Sequence, residues 1–404
     1  MSPHAKFTIP KEFQDQLEPA EPLDTRSDEE ILASLSEHRP VTSEKNIWAY
    51  WHAGISDMPK WCQRNIIDWH RICGPSWTIR VLDTVPDSPN HALKYIPADM
   101  LPETFVKGTM AGPYVGPHSA DFLRGACLYL FGGVFMDVGI ILIRSLDRVC
   151  WSQLADPDSP YTISVPWVCE RTMGNHFVAS RKGDLFIKHW HELFVHVWQD
   201  RTSHEGMCQN PLFAFMSNRT AESAFEAAEA RGLIFEWQVS PIIVFEYITQ
   251  VLAWVRLTML EDAGDGFSGV DYAMEKVLWF DVLAENWRIE AKIGFRGEDV
   301  FNLLATRLDA DPDSEEYKKA YEIVWGCLTQ GSMQKVMHGK NLTKSLALGS
   351  LWDLEENEGM DIKEGTFAEL LRYGATRFRQ TREGIAVVQM EWPKVTMKKG
   401  VYEP

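Results

Sequence analysis

The chain predicts an α/β fold, and three observations in its 404 residues carry that expectation. A strand–helix–strand unit runs from residue 46 to 83. An apolar helix at 117–131 is stopped by Gly132-Gly133 and leads straight into a short buried strand ending in an acid, Asp137. Farther on, apolar strand runs give way to helical stripes. Strands that alternate with helical stripes pack as a sheet with helices laid on its faces.

In chain order, residues 1–23 are Pro-rich and polar and read as a loose surface segment. Ser27-Asp-Glu-Glu30 has the capping-box spacing ahead of Ile31, Leu32 and Leu35, so a short helix starts there. The strand around Trp48 follows. Trp61, Cys62, Asn65, Ile66, Trp69, Ile72 and Cys73 then recur on one helical stripe that Gly74-Pro75 stops. Trp77, Ile79 and Val81 alternate as a strand ending in Asp83, which brings Trp51 and Asp83 to one sheet edge.

The stretch from His118 to Asp137 is the richest in chemistry. Ala120, Leu123, Cys127, Leu130 and Phe131 form an apolar helical face, while His118, Asp121 and Arg124 fall at i, i+3 and i+6 on another. A carboxylate and a guanidinium three residues apart on a helix can touch each other or close on one ligand. Arg presents a planar fork suited to phosphate or carboxylate, and Asp accepts hydrogen bonds from sugar hydroxyls. The Gly pair allows the tight or left-handed backbone that ends the helix. Val134-Phe135-Met136 then delivers Asp137 to the carboxyl end of a strand, where open α/β sheets bind their ligands.

Strands are expected at 140–143, 161–168 and 176–179, and helices around 183–199, 221–231 and 241–258. The tail after about residue 350 mixes acidic and basic runs without a readable role.

Composition narrows the function classes. The formal charge is 40 − 57 = −17, which disfavours electrostatic binding to nucleic acid or an anionic membrane. Seven scattered cysteines with no C-x-x-C pair suit reduced thiols and a cytoplasmic setting. No signal-peptide core opens the sequence and no uncharged apolar run is long enough to span a bilayer, so no integral membrane segment is expected.

Two local patterns are decoys. His191-Glu-Leu-Phe-Val-His196 resembles a zinc-protease motif, but the five-residue spacing turns the rings about 140° apart on a helix. Gly264-Asp-Gly-Phe-Ser-Gly269 matches a dinucleotide fingerprint without the strand that must precede it, and reads as a loop.

The pattern S-x-D-x-x-R, an apolar helix, then G-G-V-aromatic-x-D resembles the capsular-polysaccharide-synthesis family of glycosyltransferases and the related glycosyltransferase family 32. Asn46-Ile-Trp-Ala-Tyr-Trp-His52 is similar to that family's opening strand, and Met337-His-Gly-Lys-Asn-Leu-Thr343 to its closing segment. The resemblance implies a GT-A, Rossmann-like domain over 46–345, with an N-terminal extension at 1–45, a C-terminal extension at 346–404, and the later helices on the acceptor side. It implies transfer of a sugar from a nucleotide-sugar donor, expected to be a UDP-sugar, to an acceptor hydroxyl with retention. A small molecule or a glycan is favoured over a protein as acceptor. Carried over by position, Asp121 and Arg124 hold the donor sugar and Asp137 is the first acid of the D-x-D element. Trp51, with Trp48 and Tyr50, lies at the base, Asp83 contacts the nucleotide, and Gly133 belongs to the donor-binding element. Lys340 meets the diphosphate, and Asp137 with His338 holds Mn2+ or Mg2+. The chain departs from the motif at Gly139, which replaces the second acid. That departure motivates the alternative of a non-catalytic nucleotide-sugar-binding protein. Asn210 and Glu170 lie in the acceptor half without a distinguishing pattern.

Overall fold

Asn46–Tyr50 is a strand buried along its whole length, because alternate side chains serve two separate apolar layers. Ile47 and Ala49 join one hydrophobic cluster, Trp48 and Tyr50 the other. The same period-two division recurs at Val134 and Met136 against Phe135, which makes the sheet the middle of three layers. In this computed structural model, which describes residues 6–404, the central strands run in the order Val387–Val388, Val277–Asp281, Ile163–Cys169, Phe177–Ser180, Gly133–Met136, Asn46–Tyr50, Thr78–Leu82. Asn46–Tyr50 lies parallel to both Thr78–Leu82 and Gly133–Met136, with Phe135 opposite Trp48. Phe177–Ser180 runs antiparallel to Gly133–Met136, so the sheet is mixed.

One helical layer contains Lys60–Cys73, Glu315–Gln330 and Phe367–Arg377; the other contains Val115–Phe131, Leu185–Val197 and Thr249–Leu257. The capping box at Ser27 forms as expected, with the Ser27 hydroxyl accepting from the Glu30 amide and the Glu30 carboxylate from the Ser27 amide at 2.8 Å. The 241–258 stripe divides into Pro241–Tyr247 and Thr249–Leu257 where Ile248 leaves helical geometry at φ −91°, ψ 38°. The Gly264 segment is a loop, with Asp262 Oδ1 accepting from the Gly264 and Gly266 amides at 2.7 and 3.0 Å. His191 donates or accepts at Nε2 with the Met100 carbonyl at 2.8 Å, deep in the core, far from the needs of a zinc ligand.

The N-terminal segment does not lie loosely. Leu17–Pro19 pairs antiparallel with Phe378–Gln380, and Ile9 and Leu17 are buried. The C-terminal region is equally built in: Phe367 and Leu371 enter the first core cluster, and Arg382 makes a two-pronged contact, 2.9 and 2.8 Å, with the fully buried Glu285. A second small sheet, Met333–Lys335 antiparallel to Ile140–Leu142, places Lys335 opposite Ile140, immediately beyond Asp137-Val138-Gly139. Among the described residues no helix is long and apolar enough to cross a membrane.

Candidate active site

Asp137 follows the strand Gly133–Met136 and opens onto a cleft of about 1070 Å³ at the carboxyl ends of the parallel strands. Beside it runs the helix Val115–Phe131, which ends at Gly132 with φ +70°. Its polar face is buried too: His118, Asp121 and Arg124 are all enclosed, and Asp121 and Arg124 line the cleft floor. The one-turn spacing read from the sequence becomes a direct Arg124–Asp121 ion pair. The guanidinium lies over the Phe135 ring at 4.8 Å and reaches Gln250 Oε1 at 2.7 Å and Asp137 Oδ1 at 2.9 Å.

From there the network extends to parts of the chain far away in sequence. Lys335 Nζ donates to Asp137 Oδ2 at 3.0 Å. Asn175 Nδ2 donates to Asp121 Oδ1 at 3.0 Å and to Gln250 Oε1 at 3.1 Å, while Gln250 Nε2 donates to the Asp121 carbonyl. Two carboxylates and two cations thus alternate along the floor, and each Asp137 oxygen already faces a positive group. The second Asp121 oxygen, Oδ2, accepts no hydrogen bond among the described residues, with His118 Nδ1 3.9 Å away. An acceptor atom held open at the foot of a cleft is what a ligand hydroxyl needs.

Burial pushes the Asp121 carboxyl up to about 6, against the opposing pull of Arg124. Burial acts on Asp137 in the same direction, but Lys335 and Arg124 together outweigh it and hold that carboxyl below its ordinary value. The site therefore pairs a readily protonated acid with one that stays ionised. His118 is held down to about 3, chiefly by burial, and so is neutral at pH 7. If Asp121 works as an acceptor, kcat/KM is expected to rise with pH through about 6 and then level, and Asp121→Asn is expected to lose that limb. Stability carries the opposite sign. A folded-state pKa raised above the unfolded value means the native protein binds the proton more tightly, so this group's stabilisation is full below about 4 and declines as pH rises to about 6. Asp68, also about 6, and Glu290, about 7, titrate nearby in pH, so the difference between native and Asp121→Asn profiles is the measurement.

Of the other residues named from sequence, Tyr50 and Trp51 line the cleft wall, and Trp51 Nε1 is buried without a partner. Trp48 does not join them: its ring stacks on Phe131 within the core and its Nε1 donates to the Gly132 carbonyl at 3.0 Å. Asp83 is a turn residue, its carboxylate taken by the Val85 amide at 3.1 Å and the Ser88 hydroxyl at 2.5 Å. Gly133 is required by packing, since a Cβ there would stand 2.3 Å from the Asn46 carbonyl oxygen. Lys340 lies at the exposed rim, 3.5 Å from Asp353 Oδ2. Asn210 caps the turn at Leu212, and Glu170 occupies a positive-φ turn at 45°.

The expected metal set, Asp137 with His338, is not assembled. Hard divalent cations need several oxygen ligands. Both Asp137 oxygens are engaged by cations, and His338 packs edge-on against Phe235. At Gly139, where a second acid would stand, a Cβ would meet Met337 at 3.0 Å. Among the described residues no group of three or more His, Cys, Asp or Glu side chains is placed to hold a metal ion. The residues present do not fit the group, and no step is assigned to one. The residues that sequence reading missed are Lys335, Gln250 and Asn175. For Lys335 the available signal was its position two residues before Met337.

Fold and floor together define an α/β group-transfer enzyme with its site at the ends of parallel strands. A family model described as capsular polysaccharide synthesis protein matches residues 6–207. The chain is 51% identical over 399 residues to the probable glycosyltransferase FCK3 of Fusarium pseudograminearum (strain CS3096), covering 98% of this chain and 99% of that protein. It is 37% identical to the O-glycosyltransferase braB of Annulohypoxylon truncatum, over 96% of this chain and 93% of that one. It is also 37% identical to the O-glycosyltransferase PaGT of Phomopsis amygdali, over 90% and 89% respectively. The chain belongs to the capsular polysaccharide synthesis family and is a glycosyltransferase, taking a sugar from a nucleotide-sugar donor to an acceptor.

Proposed function

We propose that the donor is a UDP-sugar, that the acceptor is the hydroxyl of a small molecule with an apolar body, and that the anomeric configuration is retained. The observation that carries the reading is the unbroken chain of ion pairs Asp121–Arg124–Asp137–Lys335 in a cleft whose lining is otherwise rich in apolar side chains. On the donor side, Trp51 offers a flat face for a base and the free Asp121 Oδ2 accepts from a sugar hydroxyl. Arg124 fixes both carboxylates at once, so the sugar is held in one orientation and its anomeric carbon faces the acceptor. The cleft lining also includes Phe105, Val106, Phe225, Val244, Phe245 and Ile248, apolar surface that suits an apolar body better than a polar glycan. The names of braB and PaGT, both O-glycosyltransferases, favour transfer to oxygen. The seven cysteines are all unpaired, which favours a cytoplasmic setting.

The test is nucleotide release from a panel of UDP- and GDP-sugars with a series of apolar alcohols, followed by the anomeric proton coupling of the product. A UDP-sugar consumed with an apolar alcohol and a product of unchanged anomeric configuration is expected. Preference for a GDP-sugar, an inverted product, or turnover only with oligosaccharide acceptors would overturn the corresponding part.

A further inference from the structure

We propose that Lys335 is a catalytic residue: its ammonium meets the departing diphosphate of the donor, and sugar transfer proceeds without a divalent ion. The inference rests on the nucleotide-sugar reading above. Lys335 ends the strand Met333–Lys335, which is fixed on both sides: its own amide donates to the Asn286 carbonyl at 2.9 Å, and the following Val336 amide donates to the Gly139 carbonyl at 3.0 Å. The side chain is 11% exposed, and what shows of it faces the cleft. An ammonium has three donors, and Asp137 Oδ2 takes one at 3.0 Å, which leaves two for phosphate oxygens.

The same geometry explains why the second acid is dispensable. The floor is balanced without a ligand: two carboxylates, Asp121 and Asp137, against Arg124 and Lys335. A dication drawn to Asp137 would come within a few ångströms of the Lys335 ammonium, a repulsion that no second carboxylate offsets. A Cβ at Gly139 would stand 3.0 Å from Met337 Cγ and 3.1 Å from Met337 Cβ, closer than an ordinary contact, so a second acid there would crowd the Met337 side chain. A fixed positive charge where negative charge develops is the usual source of a large rate term.

In the step itself the bond from the anomeric carbon to the β-phosphate oxygen breaks and its electron pair leaves with the nucleoside diphosphate. A bond forms between the anomeric carbon and the acceptor oxygen, and the acceptor's proton passes to a departing phosphate oxygen. Lys335 keeps its proton throughout and neutralises the charge that appears.

The experiment measures turnover of the UDP-sugar panel by the full chain in EDTA and with added Mn2+, for native protein, Lys335→Gln and Lys335→Arg, together with UDP binding by calorimetry in EDTA. The expected result is native turnover unchanged within about twofold by EDTA, a fall in kcat of about 10²–10³-fold in Lys335→Gln that Mn2+ does not restore, and partial recovery in Lys335→Arg. Native protein is expected to bind UDP in EDTA, a readout that stands even should the Gln variant fail to fold. Native turnover or UDP binding that disappears in EDTA and returns with Mn2+ overturns the proposal and leaves the donor assignment intact. So does a Lys335→Gln enzyme that keeps its kcat. A native protein that turns over no UDP-sugar under either condition removes the UDP-sugar reading, and this inference with it.

Discussion

Arg124→Ala is expected to lower kcat/KM for donor turnover by about 10³-fold and to destabilise the fold by about 3–5 kcal/mol, the range for breaking a buried ion pair on one side. Arg124 is the hub of the floor. One guanidinium nitrogen, Nη1, serves Asp121 and Gln250, and another, Nη2, serves Asp137, while the ring of Phe135 supports the plane. Its removal leaves the enclosed Asp121 carboxylate with the neutral Asn175 amide as its side-chain hydrogen-bond donor and Lys335 as the cation acting on it from beyond Asp137. Burial already lifts that carboxyl to about 6, and loss of the opposing Arg124 charge lifts it further, so a larger share of Asp121 is protonated at neutral pH. The variant therefore has a weaker hydroxyl acceptor as well as a lost alignment. Arg124→Lys is the informative companion. A single ammonium restores charge but cannot span two carboxylates and an amide, so stability is expected to recover in part and turnover hardly at all. Denaturant unfolding and steady-state kinetics on both variants check this, and an Arg124→Ala enzyme within about tenfold of native kcat/KM would falsify the role assigned to the hub.

The parts of this site that were legible in sequence are those that a single element encodes. Asp121 and Arg124 are one helical turn apart, and the Gly132-Gly133 break and the short strand fix where Asp137 emerges, so three members of the floor follow from local rules. Lys335, Gln250 and Asn175 obey no such rule. Lys335 is 198 residues from its partner Asp137, and it arrives there because a three-residue strand pairs with Ile140–Leu142, a register that only the folded sheet defines. Gln250 sits in a helix whose boundary at Ile248 no periodicity marked.

Trp48 and Trp51 show the limit from the other side. Both belong to one aromatic strand motif, yet Trp48 lies within the strand and faces the second core layer, whereas Trp51 stands just past the strand end at the cleft. Composition made the pair look equivalent; the two-residue period of the strand and the point where it ends separate them. The terminal segments failed for a related reason. Leu17–Pro19 and Phe378–Gln380 are each too short to announce a strand, and each becomes one only by pairing with the other.

Asp137→Ala separates two physical accounts of the floor because it moves catalysis and nucleotide affinity in different directions. About a third of the Asp137 side chain is exposed, so its loss is expected to cost far less stability than the loss of Arg124. Kinetically it releases Lys335 Nζ and Arg124 Nη2 from their shared anchor, and both cations lose the orientation that aims them at the leaving group. A fall in kcat of about 10³-fold is expected, comparable to removal of a preorganised charge-stabilising group. Affinity should change the other way. With one carboxylate gone the floor carries a net positive charge: Lys335 loses its only carboxylate partner and Arg124 Nη2 is released, while Arg124 Nη1 stays on Asp121 and Gln250, so both cations have donors to turn to the diphosphate. UDP is therefore expected to bind the variant as tightly as the native protein or severalfold more tightly in EDTA, with Asp137→Asn intermediate. Were Asp137 instead the anchor of a divalent ion, the same substitution would remove the bridge to the diphosphate and weaken UDP binding. Calorimetry of UDP on native protein and both variants, beside their kcat values, distinguishes the cases: a parallel loss of affinity and turnover would show that the carboxylate acts on the nucleotide through a bound cation rather than by positioning Lys335 and Arg124.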